Sequence, residues 1–289
     1  MALFHLPKIT ISRGAKVGIG LFITILVVGS IVAGIWYAWN QMFKGNNRFL
    51  LTKLVVTSMD GNGKWHDDTE GIQPFLRKAR TSLPPPDGVL PPEQSRPNLF
   101  EIDLQILRTE LQKVAEIESA EVRRILPDTL EIKIMERTPV AKLQVKGPAR
   151  IVDRYGVVVL RHRCIDISGM LPVLKNFKTP IPAVGTVFEE LKPALEFIQL
   201  TKENRAYSKL RILEIDLSNV DYLKIQLAYN GDMNDWYIVT VPKKDPKKGL
   251  DRILTSIEES KKLPLPRREI DLQFEGQTVL RHIPSGAAQ

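Results

Sequence analysis

"RILPDTLEIKIMERTPVAKL", Arg124–Leu143, contains an alternating strand, a short turn and a run that ends in proline. With the residues just ahead of it the stretch reads as a hairpin, "SAEVRRI" and "TLEIKIME" being the strands around Leu126, Pro127 and Asp128. A three-residue loop predicts Val122 opposite Ile132 and Ala120 opposite Ile134 on one side. On the other side it sets Glu121 against Lys133 and Arg123 against Glu131. Each opposite-charge pair contributes about 0.2–1 kcal/mol. A one-residue slip would set Arg123 against Ile132, so the charges help fix the register. Glu136 shares the parity of Ile132 and Ile134, so it leaves the core, pairs with an arginine, or marks the end of alternation. Pro139 cannot donate to a ladder and is expected to end the hairpin. Glu136, Arg137 and Pro139 are read together as a structural junction.

Working back from the hairpin, "FLLTKLVVT" (Phe49–Thr57) reads as a strand that ends at a "DGNG" turn cluster. Asp67, Asp68 and Thr69 offer caps for a helix with a stripe of Ile72, Phe75, Leu76 and Ala79. Pro74 is expected to confine that helix mostly to its C-terminal side or to kink it. Residues 82–97 hold six prolines and read as a surface loop. Asn98 and Glu101 resemble a capping box for a second helix with Leu104, Leu107, Leu111 and Val114 on one face. Strand, helix, helix, strand, strand makes a compact α+β unit over 49–138. Its last strand, Thr129–Met135, is a candidate edge, and outward Glu131 and Lys133 would discourage pairing there.

Val17–Trp39 runs 23 residues without a charge, enough at 1.5 Å per residue to cover a hydrocarbon core of about 30 Å. It is longer than the apolar part of a signal peptide and ends in Trp36, Tyr37 and Trp39, which suit a membrane interface. The segment is expected to be an uncleaved transmembrane helix behind a cytoplasmic tail of residues 1–16. Lys8, Arg13 and Lys16 before it nearly balance Lys44, Arg48 and Lys53 after it. The orientation therefore rests on the long C-terminal part, which can translocate largely regardless of charge.

The formal charge of +8, with no acidic residue before Asp60, fits attraction to anionic lipid. No aromatic-basic ribbon suggests nucleic acid. Cys164 is the single cysteine, which excludes an intramolecular disulfide and a thiolate metal cluster.

Beyond Pro139 the pattern predicts a β-rich domain over 139–283 with two helices, followed by a tail of residues 284–289. "ARIVDRYGVVVL" reads as a hairpin around Asp153–Gly156, and "LPVL", "RILEIDL", "YLKIQLAY", "WYIVTV", "REIDLQF" and "TVLRHI" read as strands. One helix carries Phe188, Leu191, Leu195 and Ile198. The other opens at Asp245 and Pro246 ahead of Leu250, Ile253, Leu254 and Ile257. In "EIDLQFEGQTVL", Ile270, Leu272 and Phe274 are expected to point inward before the chain crosses Glu275 and Gly276 into Thr278 and Leu280. A terminal strand there would be either an open edge able to take a partner strand or a closing hairpin whose edge is covered.

Catalysis needs convergent groups, and His5, His66, His162 and His282 are scattered. His162, Cys164 and Asp166 read as strand-edge polar residues, and His66 with Asp67 and Asp68 as helix-capping groups, so no enzyme, metal site or cofactor is expected.

Taken in order, "NLFEIDL", "VRRILPDTLEIKIMERTPVAKL", "IVDRYGVVV", "LPVL", "ILEIDLS" and "REIDLQFEGQTVLRHI" resemble the FtsQ/DivIB family of bacterial division proteins. The resemblance implies a POTRA domain beside the membrane, a β domain beyond it, and a single pass through the cell inner membrane. It also implies a non-enzymatic scaffold that binds FtsB/FtsL-like coiled-coil partners and helps recruit and regulate the septal peptidoglycan synthase complex. With the edge argument it assigns partner binding to Phe274, Glu275, Gly276, Gln277, Thr278, Val279 and Leu280. The alternative class is a POTRA-containing envelope secretion or assembly component, although the strands needed for a barrel are missing from the sequence.

Overall fold

The uncharged run beginning at Val17 folds as one long helix, α1 (Arg13–Trp39), which a π-helical turn over Asn40–Lys44 continues. The computed structural model describes residues 13–44, 46–59, 63–80, 96–161, 170–264 and 268–282, and for 13–20 the backbone alone. Leu21–Lys44 is long and apolar enough to cross a membrane. Most of the proline-rich stretch, the His162, Cys164 and Asp166 group, His5 and the C-terminal tail lie outside the described residues.

The strand expected from Phe49 begins later. Asn47–Phe49 is a 3-10 turn capped by Asn46, and β1 is Lys53–Ser58. Phe49 is used instead in a ring cluster with Phe43 and Phe100. Helix α2 (Thr69–Lys78) starts at an Asp68 side chain that accepts from the Gly71 N–H at 2.8 Å. It runs on both sides of Pro74, so the proline does not confine it to the C-terminal side, the first of the two outcomes expected. The carbonyl this proline leaves unbonded is that of Glu70 in the first turn, so little of the helical ladder is lost. The Asn98–Glu101 capping box forms, but it caps a 3-10 turn over Leu99–Glu101, and α3 (Leu104–Gln112) has its own cap in Asp103.

The hairpin strands are β2 (Ile117–Ile125) and β3 (Thr129–Glu136), in the register that the charges dictate: Ala120 faces Ile134, Glu121 Lys133, Val122 Ile132 and Arg123 Glu131. The Arg123 guanidinium bonds the Glu131 carboxylate and holds its pKa below the ordinary carboxylate value. One expectation is overturned. Strand β3 is not an edge, because β1 pairs with it in parallel and the sheet order is β1-β3-β2. Leu130, Ile132 and Ile134 of β3 are fully buried against Ile72 and Leu76 of α2 and Leu107 and Leu111 of α3. Each such side chain contributes roughly 1.5–3 kcal/mol on burial.

The second sheet begins at β4 (Pro139–Leu143), so Pro139 ends the hairpin by opening a new strand. After it come β5 (Arg150–Asp153), β6 (Val158–Leu160), β7 (Val173–Lys175), α4 (Lys192–Glu203), β8 (Leu210–Asp216), β9 (Tyr222–Tyr229) and β10 (Asp232–Pro242). Helix α5 (Pro246–Lys261), β11 (Glu269–Asp271) and β12 (Val279–Arg281) complete it. The strand order is β12-β11-β10-β9-β8-β7-β4-β5-β6. Helices α4 and α5 carry the chain between the parallel pairs β7/β8 and β10/β11 and bury Leu195, Phe197, Ile198, Leu250, Ile253 and Ile257 in the sheet's core.

Glu136 and Arg137, adjacent in the chain, point into different surroundings. Glu136 is 2% exposed, and its Oε1 accepts from the Trp65 N–H at 2.9 Å. Its Oε2 and the Ser58 hydroxyl have no hydrogen-bond partner among the described residues. Gly63 is needed for this approach, because a Cβ there would lie 2.0 Å from Glu136 Oε1 and 2.3 Å from Ser58 Oγ. Gly63→Ala is therefore expected to cost roughly 1–3 kcal/mol, the range for overpacking a buried site. Urea unfolding followed by circular dichroism measures this, and an unchanged midpoint would show that the site relaxes freely.

Arg137 turns to the second sheet. Its Nη1 bonds Asp153 Oδ2 at 2.6 Å, its Nε donates to the Ala115 carbonyl at 3.0 Å, and its backbone N–H donates to Glu116 O at 2.8 Å. Arg154 reaches back to Glu118 at 2.6 Å. The two sheets are thus joined through Arg137, which lies between β3 and β4 and bridges the α3–β2 loop and the end of β5, and through the Arg154–Glu118 pair between the β5–β6 turn and early β2.

Candidate partner-binding edge

A strand can accept another chain only where its backbone groups are unpaired, so the sheet ends matter most. At one end of the larger sheet, β6 is covered: the Val158 N–H donates to Thr186 O at 3.0 Å and the Gly185 N–H to Val158 O at 2.8 Å. At the other end lies β12, to whose outer side no backbone bond comes from any other described segment.

The parity of that edge follows from neighbouring bonds. Ile238 donates to Arg268 O and Leu272 to Thr240 O, both at 2.8 Å, so Ile270 is aligned to bond β10. Glu269 and Asp271 then face β12, where their partners are Arg281 and Val279. This leaves the N–H and C=O of Leu280 directed outward, while its side chain packs partly on the core.

The residues assigned to partner binding fall into two groups. Val279 and Leu280 lie on the edge strand, and Phe274, Glu275, Gly276, Gln277 and Thr278 form the turn leading to it. Ile270 and Leu272 are buried as expected, but Phe274 is not inward: it is 62% exposed. Strand β11 has already ended at Asp271, and Gly276 turns the chain at φ +71°. Arg252 of α5 holds the turn, donating to the carbonyls of Leu272 (3.0 Å), Phe274 (2.9 Å) and Gln277 (2.7 Å). Lys248 bonds Glu275 at 2.7 Å and keeps that carboxyl below its ordinary pKa. Sequence reasoning missed Lys248 and Arg252, which lie on the exposed side of a helix read only for its apolar stripe. They border a cleft of about 430 Å³ that also includes Tyr222, Lys244 and Glu275.

On the smaller sheet the edges are β1 and β2. The Asp67 N–H covers part of β1 by donating to Val56 O at 3.0 Å. Along β2 the exposed Glu121 and Arg123 are charged. Asp68 is a helix cap, and His66 Nε2 lies 3.6 Å from Asp67.

An apolar helix followed by a β-α-α-β-β unit and a larger sheet defines a membrane-anchored protein with a POTRA-type unit. Residues 92–137 match the family described as "POTRA domain, FtsQ-type". The chain is 21% identical over 269 residues to Cell division protein FtsQ of Koribacter versatilis, covering 93% of this chain and 72% of that one. It is 29% identical over 138 residues to that of Zymomonas mobilis subsp. mobilis, covering 47% and 39% of the two chains. The corresponding protein of a Thioalkalivibrio species is 40% identical over 26% of this chain and 40% of its own. The chain thus carries an FtsQ-type POTRA domain and is similar, over nearly its whole length, to a bacterial cell division protein of that type.

Proposed function

We propose that this chain is a non-enzymatic, single-pass scaffold of the division machinery, its amino terminus cytoplasmic and its body outside the inner membrane. It captures an FtsB/FtsL-like partner by strand addition at β12 and so helps recruit and regulate septal peptidoglycan synthesis. Its working parts are the units 49–138 and 139–283. The observation that carries this reading is the outward N–H and C=O of Leu280 on an edge that no other described segment covers. Exposed Phe274 and Val279 offer apolar contact beside it, and Lys244 suits an acidic partner segment.

Leu280→Pro removes the outward donor, whereas Leu280→Ala keeps it and shortens the side chain. Capture of an FtsB-like protein by the full chain is expected to fall about tenfold or more with proline, since one lost bond is worth on the order of 1.4 kcal/mol. Alanine should cost clearly less. Equal losses in the two variants would mean that the side chain, and not strand addition, makes the contact.

A further inference from the structure

The turn between β2 and β3 presents Leu126, 57% exposed, and Ile125, 43% exposed, at the tip of an otherwise well-packed hairpin. Strand register shows which end of the sheet this tip occupies. Lys53 begins β1 and pairs with Thr129, the first residue of β3. The N–H groups of Thr52 and Lys53 donate to the Asp128 carbonyl at 3.0 and 3.3 Å. The tip therefore lies at the end of the sheet where the chain arrives from α1, and both β1 and β3 run away from it.

That end is held close to the helix. The Trp39 and Phe43 rings are 4.3 Å apart, Phe43 and Phe100 are 5.1 Å apart, and the Arg124 guanidinium is 5.5 Å from the Phe100 ring. Arg124, two residues before Leu126, also donates to the Leu99 and Ile102 carbonyls at 2.8 and 2.7 Å. Leu21–Lys44 has 24 residues. At 1.5 Å each they span about 36 Å against a hydrocarbon core of about 30 Å, so the last turns of the helix reach the headgroup layer. Trp39, an interfacial residue type, lies in those turns. Lys44 at the end of the π-helical turn, Arg48 in the 3-10 turn and Lys53 at the start of β1 are exposed. The acid nearest the tip, Asp128, has its carboxylate bonded by the Thr52 and Thr129 hydroxyls.

We propose that Ile125 and Leu126 form a second membrane contact, seated in the headgroup layer of the bilayer that α1 spans, with Lys44, Arg48 and Lys53 over anionic headgroups. The contact would set the tilt of the body on its anchor, and so the direction in which β12 faces. The two apolar side chains explain their own exposure, since the lipid covers them.

The test uses the full chain in vesicles of phosphatidylethanolamine and phosphatidylglycerol, with Cys164→Ser as background. A nitroxide is placed at Leu126→Cys, and separately at Met42→Cys on the helix and at Val220→Cys in the turn after β8, both exposed positions. The label at 126 is expected to collide several-fold less with a water-soluble nickel complex, and several-fold more with oxygen, than the label at 220. It should resemble the label at 42. Accessibility at 126 equal to that at 220, with 42 still in lipid, overturns the contact while leaving the anchor intact. Equal exposure at all three positions would overturn the anchor reading itself. A second arm follows oxygen collision at Ile125→Cys, which should decrease in Lys44→Glu/Arg48→Glu/Lys53→Glu. No change there would remove the basic residues from the proposal.

Discussion

Arg137→Ala is expected to destabilise the folded body by roughly 3–5 kcal/mol, the range for breaking a buried ion pair by removing one partner. Asp153 is the reason. Its side chain is 1% exposed, its Oδ1 accepts from the N–H groups of Tyr155 and Val157 at 2.9 and 2.8 Å, and its Oδ2 has Arg137 at 2.6 Å. Alanine would leave a buried carboxylate without its counter-charge and would free the Ala115 carbonyl. Lysine keeps the charge but lacks the fork that reaches both acceptors, so Arg137→Lys should fall between alanine and the parent. Denaturant unfolding by circular dichroism measures all three. The pairwise term comes from combining Arg137→Met with Asp153→Asn, which keeps an acceptor for Tyr155 and Val157. The double variant should lose less than the two single losses added together. An alanine variant within about 0.5 kcal/mol of the parent, the ordinary scatter for a surface change, would show that the junction is not held through this pair.

The junction also shows what the sequence could and could not convey. The register of β2 on β3 was legible because a three-residue turn and two opposite-charge pairs leave one alignment without conflict. The apolar stripes of α2, α3, α4 and α5 were legible for a similar reason: helical period and burial coincide. The central position of β3 was hidden, since its neighbour β1 lies about 70 residues earlier in the chain and parallel pairing leaves no local signature. A cue did exist in β2, whose Glu121, Arg123 and Arg124 mark it better as an edge than the evenly alternating β3. Phe274 was misread by extending alternation past the end of a strand that Gly276 and Arg252 terminate. Glu136 and Arg137 look like a pair in the sequence, yet backbone alternation sends one side chain into the first core and the other to the second sheet.

Asn98→Ala is expected to loosen the link between α1 and the body by roughly 2–4 kcal/mol while leaving the body folded. This residue is 3% exposed. Its Oδ1 accepts from the Phe100 N–H at 2.9 Å, and its Nδ2 donates to the carbonyls of Phe43, Lys44 and Asn46 at 2.9, 3.0 and 3.2 Å. Those carbonyls belong to the π-helical turn and the segment that follows it, so a single amide fastens the end of the anchor to the start of the 3-10 turn. Alanine removes the cap, worth about 1 kcal/mol, and leaves the three carbonyls to find water. Hydrogen exchange reads the result locally: amides of Phe49, Leu50 and Leu51 should exchange about 30- to 1000-fold faster, while those of β3 should not change. Protection across 49–51 equal to the parent would show that the Phe43, Phe49 and Phe100 rings hold the link without the amide. If the exchange does rise, Asn98 holds the end of the anchor to the body, and the tilt of the body on its anchor then depends on this amide as well as on the membrane contact proposed for Ile125 and Leu126.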